Sequence, residues 1–426
     1  MTTATPRKPA RKSSRPADSR PANNAKAAPA EGVSAESAEA AQTEIADGVQ
    51  TGAAGDLGAD SDLAAGLPSP TDLLVDRTAE EHDSFANRIA ATDPENLRTL
   101  YRDMLFVRRF EERTAQSYQQ AKIGGYCHLN LGEEATVVGV GAAMRPTDYL
   151  FTNYREHGYA LAKGIAPGRV MAELYGRSTG TSKGWGGSMH MYDTETRLLG
   201  GYAIVGGQVP LAVGAALAID YRGGDDVVVC QMGEGTTNIG AFHESLNIAA
   251  LWNLPIVFLV INNQTGMGTT VEKSSAEPDL WKRASSYRMR GERVDGTDVL
   301  AVREVASDLI ESARREGKPA LLEAVSYRLK GHSVVDPAKY RTSEAVSVAR
   351  ENDPIVIWHE ALLTAGVLTE DSAAAIEAEV TAGVVAAVEF ADASPHPDPA
   401  SLFDYNYATP VAGDSRRLPA DPLFTF

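Results

Sequence analysis

Cys230-Gln231-Met232-Gly233-Glu234-Gly235-Thr236-Thr237-Asn238, closed downstream by Asn262-Asn263, is the stretch that decides how this chain folds. Residues 226–232, ahead of the glycines, and 255–261, ahead of the asparagine pair, are short apolar runs rich in Val, Ile and Phe. Uninterrupted runs of that length are strands buried on both faces, as in parallel sheets. Between them, residues 239–252 repeat apolar side chains at Ile239, Phe242, Leu246 and Ala249, a helical spacing with Thr237 or Asn238 available as N-cap. The unit is strand, glycine turn, helix, strand. Sheets of this kind bind ligands outside the carboxyl ends of their strands, where glycines let the backbone approach a phosphate and a helix N-terminus offers free N–H groups. Glu234 is too negative to meet a phosphate without a cation between them. Magnesium, which wants six hard oxygens, resolves the conflict with Glu234, the Asn263 amide oxygen and a backbone carbonyl near Thr265 among its ligands. Taken locally, the same residues also suit a plain strand-helix-strand unit with a surface glutamate, because Gly-x-Gly turns are weakly specific.

Working outward, residues 148–153 read as a strand followed by Tyr154-Arg155-Glu156-His157-Gly158. There Arg155 suits a bidentate grip on phosphate and Tyr154 offers a hydroxyl. A glycine-dense run, from Gly184-Trp185-Gly186-Gly187-Ser188-Met189-His190 to Gly206-Gly207-Gln208, implies backbone packed close to something. Small residues in 211–221 predict a tightly packed helix. A third apolar run over 319–327 leads to Gly331-His332-Ser333 and Asp336-Pro337. His332, on a glycine-flanked and charge-rich loop, is a catalytic candidate; so is His128, beside Cys127.

The 426 residues carry a net charge of −17, which argues against nucleic acid as a partner. Residues 1–75 are Ala/Pro-rich, basic and then acidic, with too few large apolar side chains to offset the entropy of ordering, and are expected to be a disordered tail. The remaining chain divides into a main α/β domain over 85–365 and a C-terminal helical extension and tail over 366–426. No apolar segment is long enough to span a membrane. Two cysteines, Cys127 and Cys230, give no disulfide framework, which fits a reducing compartment and a bacterial cytoplasmic protein.

From about Asp93 to Pro354 these segments, in this order, resemble the α subunits of the thiamine-diphosphate-dependent 2-oxoacid dehydrogenases, above all the pyruvate branch. Carrying the resemblance are Gly125-Tyr126-Cys127-His128-Leu129, Tyr154 to Gly158, Gly186 to Met191, Ile204-Val205-Gly206, the unit from Gly233 to Asn263, Met267-Gly268-Thr269, and Gly331 through Thr342. It implies a thiamine-diphosphate-binding fold with a mostly parallel six-stranded sheet flanked by helices. It further implies oxidative decarboxylation of a small 2-oxoacid, pyruvate first, with the acyl group passed to a lipoyl acyltransferase. A β subunit completes the active site in a heterotetramer of two α and two β chains, so this chain alone is expected to be inactive.

Position by position, the resemblance assigns Tyr154 and Arg155 to the diphosphate, and Glu234, Gly235, Thr236 and Asn263 to the metal-diphosphate motif. It gives magnesium the Glu234 and Asn263 side chains and the Thr265 carbonyl. Ala203 and Val205 would contact the aminopyrimidine through their backbone, His128 the substrate, and His332 both the diphosphate and the reacting centre. Three positions depart from the pyruvate pattern: Glu234 replaces an aspartate, Thr265 a tyrosine and Ala203 a glycine. They keep open a different 2-oxoacid, acetoin or a branched-chain substrate, and a non-catalytic scaffold subunit. Ser333 matches a phosphorylation site of mitochondrial relatives, whereas Lys339 stands at the second such site.

Overall fold

The computed structural model describes residues 79–401 and residue 404. The tail expected over 1–75 lies outside the described residues, as does the end of the 366–426 extension. All described residues belong to one compact unit, Leu67–Phe426.

Helices α1 (Ala79–Ala91), α2 (Pro94–Gln119) and α3 (Glu134–Ala143) precede β1 (Tyr149–Asn153). Then come α4 (His157–Ala162), α5 (Pro167–Leu174), β2 (Leu198–Tyr202), α6 (Gln208–Arg222), β3 (Val228–Gly233), α7 (Gly240–Trp252) and β4 (Ile256–Asn262). Strand β5 (Arg290–Asp295), α8 (Val299–Glu316) and β6 (Ala320–Val325) complete the sheet, and α9 (Ser343–Glu351), α10 (Pro354–Thr364) and α11 (Glu370–Ala393) follow. The sheet has six strands in the order β2-β1-β3-β4-β6-β5, all parallel. This is the α/β architecture expected, with each of the three predicted central strands displaced by one or two residues.

The central strands alternate between two cores. Val229, Val257, Leu259, Ile261 and Leu322 face a cluster with α2, α3, α5, α8 and α11, while Cys230, Met232, Phe258, Val260 and Leu321 face α6 and α7. A fully buried aliphatic or aromatic side chain of this kind contributes roughly 1.5–3 kcal/mol, and burial on both faces is why these strands lack polar alternation. Val380, Val384 and Val388 of α11 sit in the first of these cores, so the helix of the C-terminal extension packs into the main unit.

Helix ends follow ordinary chemistry with one correction. Asp93 accepts from the Glu95 and Asn96 amides ahead of α2, and Asp298 from the Leu300 and Ala301 amides ahead of α8. Neither Thr237 nor Asn238 caps α7: the chain first makes a 3-10 turn over Glu234–Asn238, and α7 starts after Ile239 with no side-chain cap. Thr237 Oγ1 instead donates to the Glu234 carbonyl at 2.8 Å, and Asn238 Nδ2 to the Ser274 carbonyl. Both side chains are spent on locking the turn.

The chain runs from β1 outward to β2, then returns to place β3 on the other side of β1. The strand order therefore reverses between β1 and β3, and an open α/β sheet binds its ligand at such a point, beyond the carboxyl ends.

Candidate functional site

A cavity of about 680 Å³ lies at that edge. Each strand end delivers its own residues: Tyr154 and Arg155 follow β1, Ala203 and Val205 follow β2, Glu234, Gly235 and Thr236 follow β3, Asn263 and Thr265 follow β4, and His332 follows β6. With His128, from the segment before α3, all of the residues expected to serve cofactor, metal or catalysis line this one cavity. A Cβ added at Gly235 would meet nothing within 4 Å, so the turn there leaves open room toward the cavity.

Glu234 is buried, and no arginine or lysine among the described residues comes within ion-pairing distance of it. Burial is the main reason its carboxyl titrates above the usual range. The Asn263 amide is oriented by Glu133, which accepts from its Nδ2 at 2.9 Å and so turns Oδ1 toward the opposite side. There, Arg328 Nη1 donates to both Asn263 Oδ1, at 3.2 Å, and the Thr265 carbonyl, at 3.0 Å. Two neutral oxygens thus converge on one positive group, near a buried carboxylate that has no direct ion-pair partner among the described residues. A hard divalent cation fits this donor set, because it would neutralise Glu234 and take the same two oxygens.

Arg328 was not legible in the sequence as a site residue. It is only 1% exposed, and its Nε is buried without a partner. The one signal available was its place just past the third apolar run. Its Nη2 donates to the Tyr340 hydroxyl, which donates to Asp336, and Asp336 in turn accepts from the His332 amide at 2.6 Å. The cation that holds the oxygen pair is thereby laced to the histidine loop.

Arg155 is more structural than its sequence suggested. Nη1 donates to the Leu129 carbonyl at 2.5 Å and Nη2 to the His332 carbonyl at 3.0 Å, with Glu133 3.8 Å from Nε. Its remaining N–H groups stay available to an anion.

His128, Tyr154 and His332 form an aromatic cluster, with ring centroids 4.4 Å apart for His128 and Tyr154 and 5.2 Å for the two histidines. Both Nδ1 atoms are buried without hydrogen-bond partners. Burial first, then the nearby Arg155 and Arg328 charges, lower the His128 pKa to about 3 and that of His332 to about 4. Each is a neutral imidazole at physiological pH, with one N–H and one lone pair to offer a ligand.

These shifts have a consequence for stability. Unfolded histidine titrates near about 6.5, so below that pH the unfolded chain binds protons that the native site refuses. Stability then falls with pH from about 6.5 down toward 4 and 3. Denaturant melts of the ligand-free protein between pH 8 and pH 5 should show the midpoint declining across the lower half, and His128→Gln should reduce that decline. A slope identical in wild type and variant would contradict the assignment.

A family profile described as "Dehydrogenase E1 component" matches residues 102–400. The chain is 44% identical over 322 residues to a "Pyruvate dehydrogenase E1 component subunit alpha" of Rhizobium meliloti, covering 75% of this chain and 92% of that protein. It is 41% identical to the protein of that name from Rickettsia felis, over 72% of this chain and 94% of the relative. With a chloroplastic "Pyruvate dehydrogenase E1 component subunit alpha-3" of Oryza sativa it shares 39% identity over 85% of this chain and 88% of the relative.

Proposed function

The chain belongs to the dehydrogenase E1 component family, and we propose that it serves as the α-type subunit of a pyruvate dehydrogenase. One observation carries this reading: five strand ends deliver cation ligands, phosphate-directed groups and the neutral His332 to a single cavity at the reversal point of the sheet, where the segment before α3 adds the neutral His128. Thiamine diphosphate, when bound, supplies the electron sink for loss of carbon dioxide from a 2-oxoacid.

The chain's own residues have separable tasks. Glu234, Asn263 Oδ1 and the Thr265 carbonyl would hold magnesium, with Glu133 fixing which end of the Asn263 amide faces it. Tyr154, Arg155, Gly235 and Thr236 would bind the diphosphate. Arg328 is the resident positive charge beside those ligands. Ala203 and Val205, which line the cavity, would contact the aminopyrimidine through their backbone. His128 and His332, which line the cavity, would donate hydrogen bonds to the substrate carboxylate and transfer a proton.

The three departures are compatible with this machinery, and Glu234 keeps a carboxylate in the cradle. Thr265 enters through a carbonyl, which a changed side chain leaves in place, and Ala203 lines the cavity without closing it. These observations support a catalytic subunit over a scaffold. Ile204 and Val205, 77% and 47% exposed at the cavity's edge, are apolar groups that a second chain would cover. They support a site completed by a β subunit in an assembly of two α and two β chains, which then hands its acyl group to a lipoyl acyltransferase.

The test is reconstitution. Co-expressed with a β-type subunit, the chain should bind thiamine diphosphate and magnesium and reduce an electron acceptor when pyruvate is added. No cofactor binding at millimolar concentration overturns the proposal. In the same pair, His332→Ala should lower decarboxylation by roughly 10²- to 10⁴-fold, the usual worth of a positioned acid-base group, with the melting temperature unchanged. An equal loss of stability would instead mark His332 as a packing residue.

A further inference from the structure

The glycine-dense run of the sequence is packed against a protein carboxylate. Glu173, near the end of α5, is fully buried, and four backbone amides of the run 182–187 converge on it. The Ser182 and Gly184 amides donate to its Oε2 at 2.8 and 2.9 Å, and the Gly186 and Gly187 amides to its Oε1 at 2.7 and 3.0 Å. Glycine is required by this arrangement. A Cβ at Gly180 would stand 2.3 Å from Oε2, one at Gly186 would stand 2.1 Å from the His190 carbonyl, and Gly184 and Gly187 have φ of +81° and +61°.

A second buried carboxylate reaches the same run from another side. Glu111 Oε2 lies 2.9 Å from His157 Nδ1, and His157 Nε2 lies 2.8 Å from Ser188 Oγ. With the carboxylate accepting from Nδ1–H, Nε2 accepts from the serine hydroxyl. The next residue, Met189, lines the cavity that His128 also lines. Two fully buried acids therefore hold the backbone on which one apolar side of the cavity stands.

We propose that Glu173 is a positioning residue that sets substrate size: it fixes the glycine run so that Met189 limits the room for the acyl side chain of the 2-oxoacid. The proposal deepens the pyruvate dehydrogenase reading and rests on it. A carboxylate is needed because it offers acceptors on both sides. In Glu173→Gln one of the two amide pairs faces an NH₂ group, a donor against donors. The fastening is lost while volume is kept. A rigid apolar wall discriminates one methylene by roughly 10- to 200-fold, and a loosened one discriminates less.

The experiment uses the reconstituted α/β complex with pyruvate, 2-oxobutyrate and 2-oxoisovalerate, alongside amide hydrogen exchange. In Glu173→Gln, exchange at Ser182, Gly184, Gly186 and Gly187 should accelerate at least about tenfold. The preference for pyruvate over 2-oxobutyrate in kcat/KM should narrow about tenfold, through KM, while kcat for pyruvate holds. Met189→Ala should narrow the same ratio, and Ser188→Ala should do so in part; these two decide the matter if Glu173→Gln does not fold. Equal losses toward all three substrates, or an unchanged ratio in Met189→Ala, overturn the proposal. A wild-type complex inactive toward every 2-oxoacid overturns the functional reading and the size role with it, and unchanged exchange in Glu173→Gln overturns the positioning role alone.

Discussion

Glu234→Ala is expected to abolish metal-dependent retention of thiamine diphosphate in the reconstituted pair, and activity with it. Its carboxylate is buried and without an ion-pair partner among the described residues; the Arg328 and Arg155 charges act on it only from a distance, so a bound cation would be its one direct counter-charge in the cradle. Without Glu234, Asn263 Oδ1 and the Thr265 carbonyl are two neutral oxygens already served by Arg328. Loss of groups merely behind a metal ligand costs about 10–100-fold, so loss of the charged ligand should cost at least about 100-fold in affinity. Titration calorimetry with and without magnesium measures it. Glu234→Asp, one methylene shorter and the residue usual in the pyruvate branch, should keep binding. Full activity in the alanine variant would refute the metal assignment. The ligand-free fold should be no less stable for the change, because burial is the largest influence on this carboxylate and removing it relieves a desolvation cost.

The second large effect concerns folding alone. Arg108 of α2 is buried, with Nε 2.6 Å from Glu134 of α3 and Nη1 and Nη2 at 2.7 and 2.9 Å from Asp353, which also caps α10. Arg108→Ala leaves two buried carboxylates facing each other without a cation. Breaking a buried pair in this way costs about 3–5 kcal/mol, against a total stability of about 5–15 kcal/mol for a domain. Urea unfolding should show a loss of that size. Adding Glu134→Gln and Asp353→Asn to the variant should recover part of it, since the stranded charges are then gone. A loss below about 1 kcal/mol for Arg108→Ala would mean that the carboxylates find water or each other at little cost.

The sequence revealed the centre of this fold better than its rim. Strands β3, β4 and β6 were legible because both of their faces are buried, which leaves unbroken apolar runs. The edge strands were not. β5 is Arg290-Gly291-Glu292-Arg293-Val294-Asp295, whose charges suit an exposed edge and disguise the strand, and β2 carries Gly200 and Gly201, with a Cβ at Gly201 blocked by the Glu156 carboxylate at 2.1 Å. In the site, the residues that follow strands on short loops could be picked out from type and position. Arg328 and Glu133 could not, because their roles depend on partners far along the chain: Asn263 for both. The glycine run shows the same limit. Its density announced close packing but not that the packed group is Glu173.

Arg155 couples the lifetimes of two remote segments. Its guanidinium bonds the Leu129 carbonyl, next to His128, and the His332 carbonyl, while the Val334 amide donates to the Cys127 carbonyl at 2.9 Å. Opening either segment therefore breaks bonds that hold the other, so the two histidines belong to one cooperative opening unit. Solvent exchange at Val334 would report on the pocket floor at His128 as much as on its own loop. An event that frees the His332 loop therefore also takes away a bond that holds the segment carrying His128.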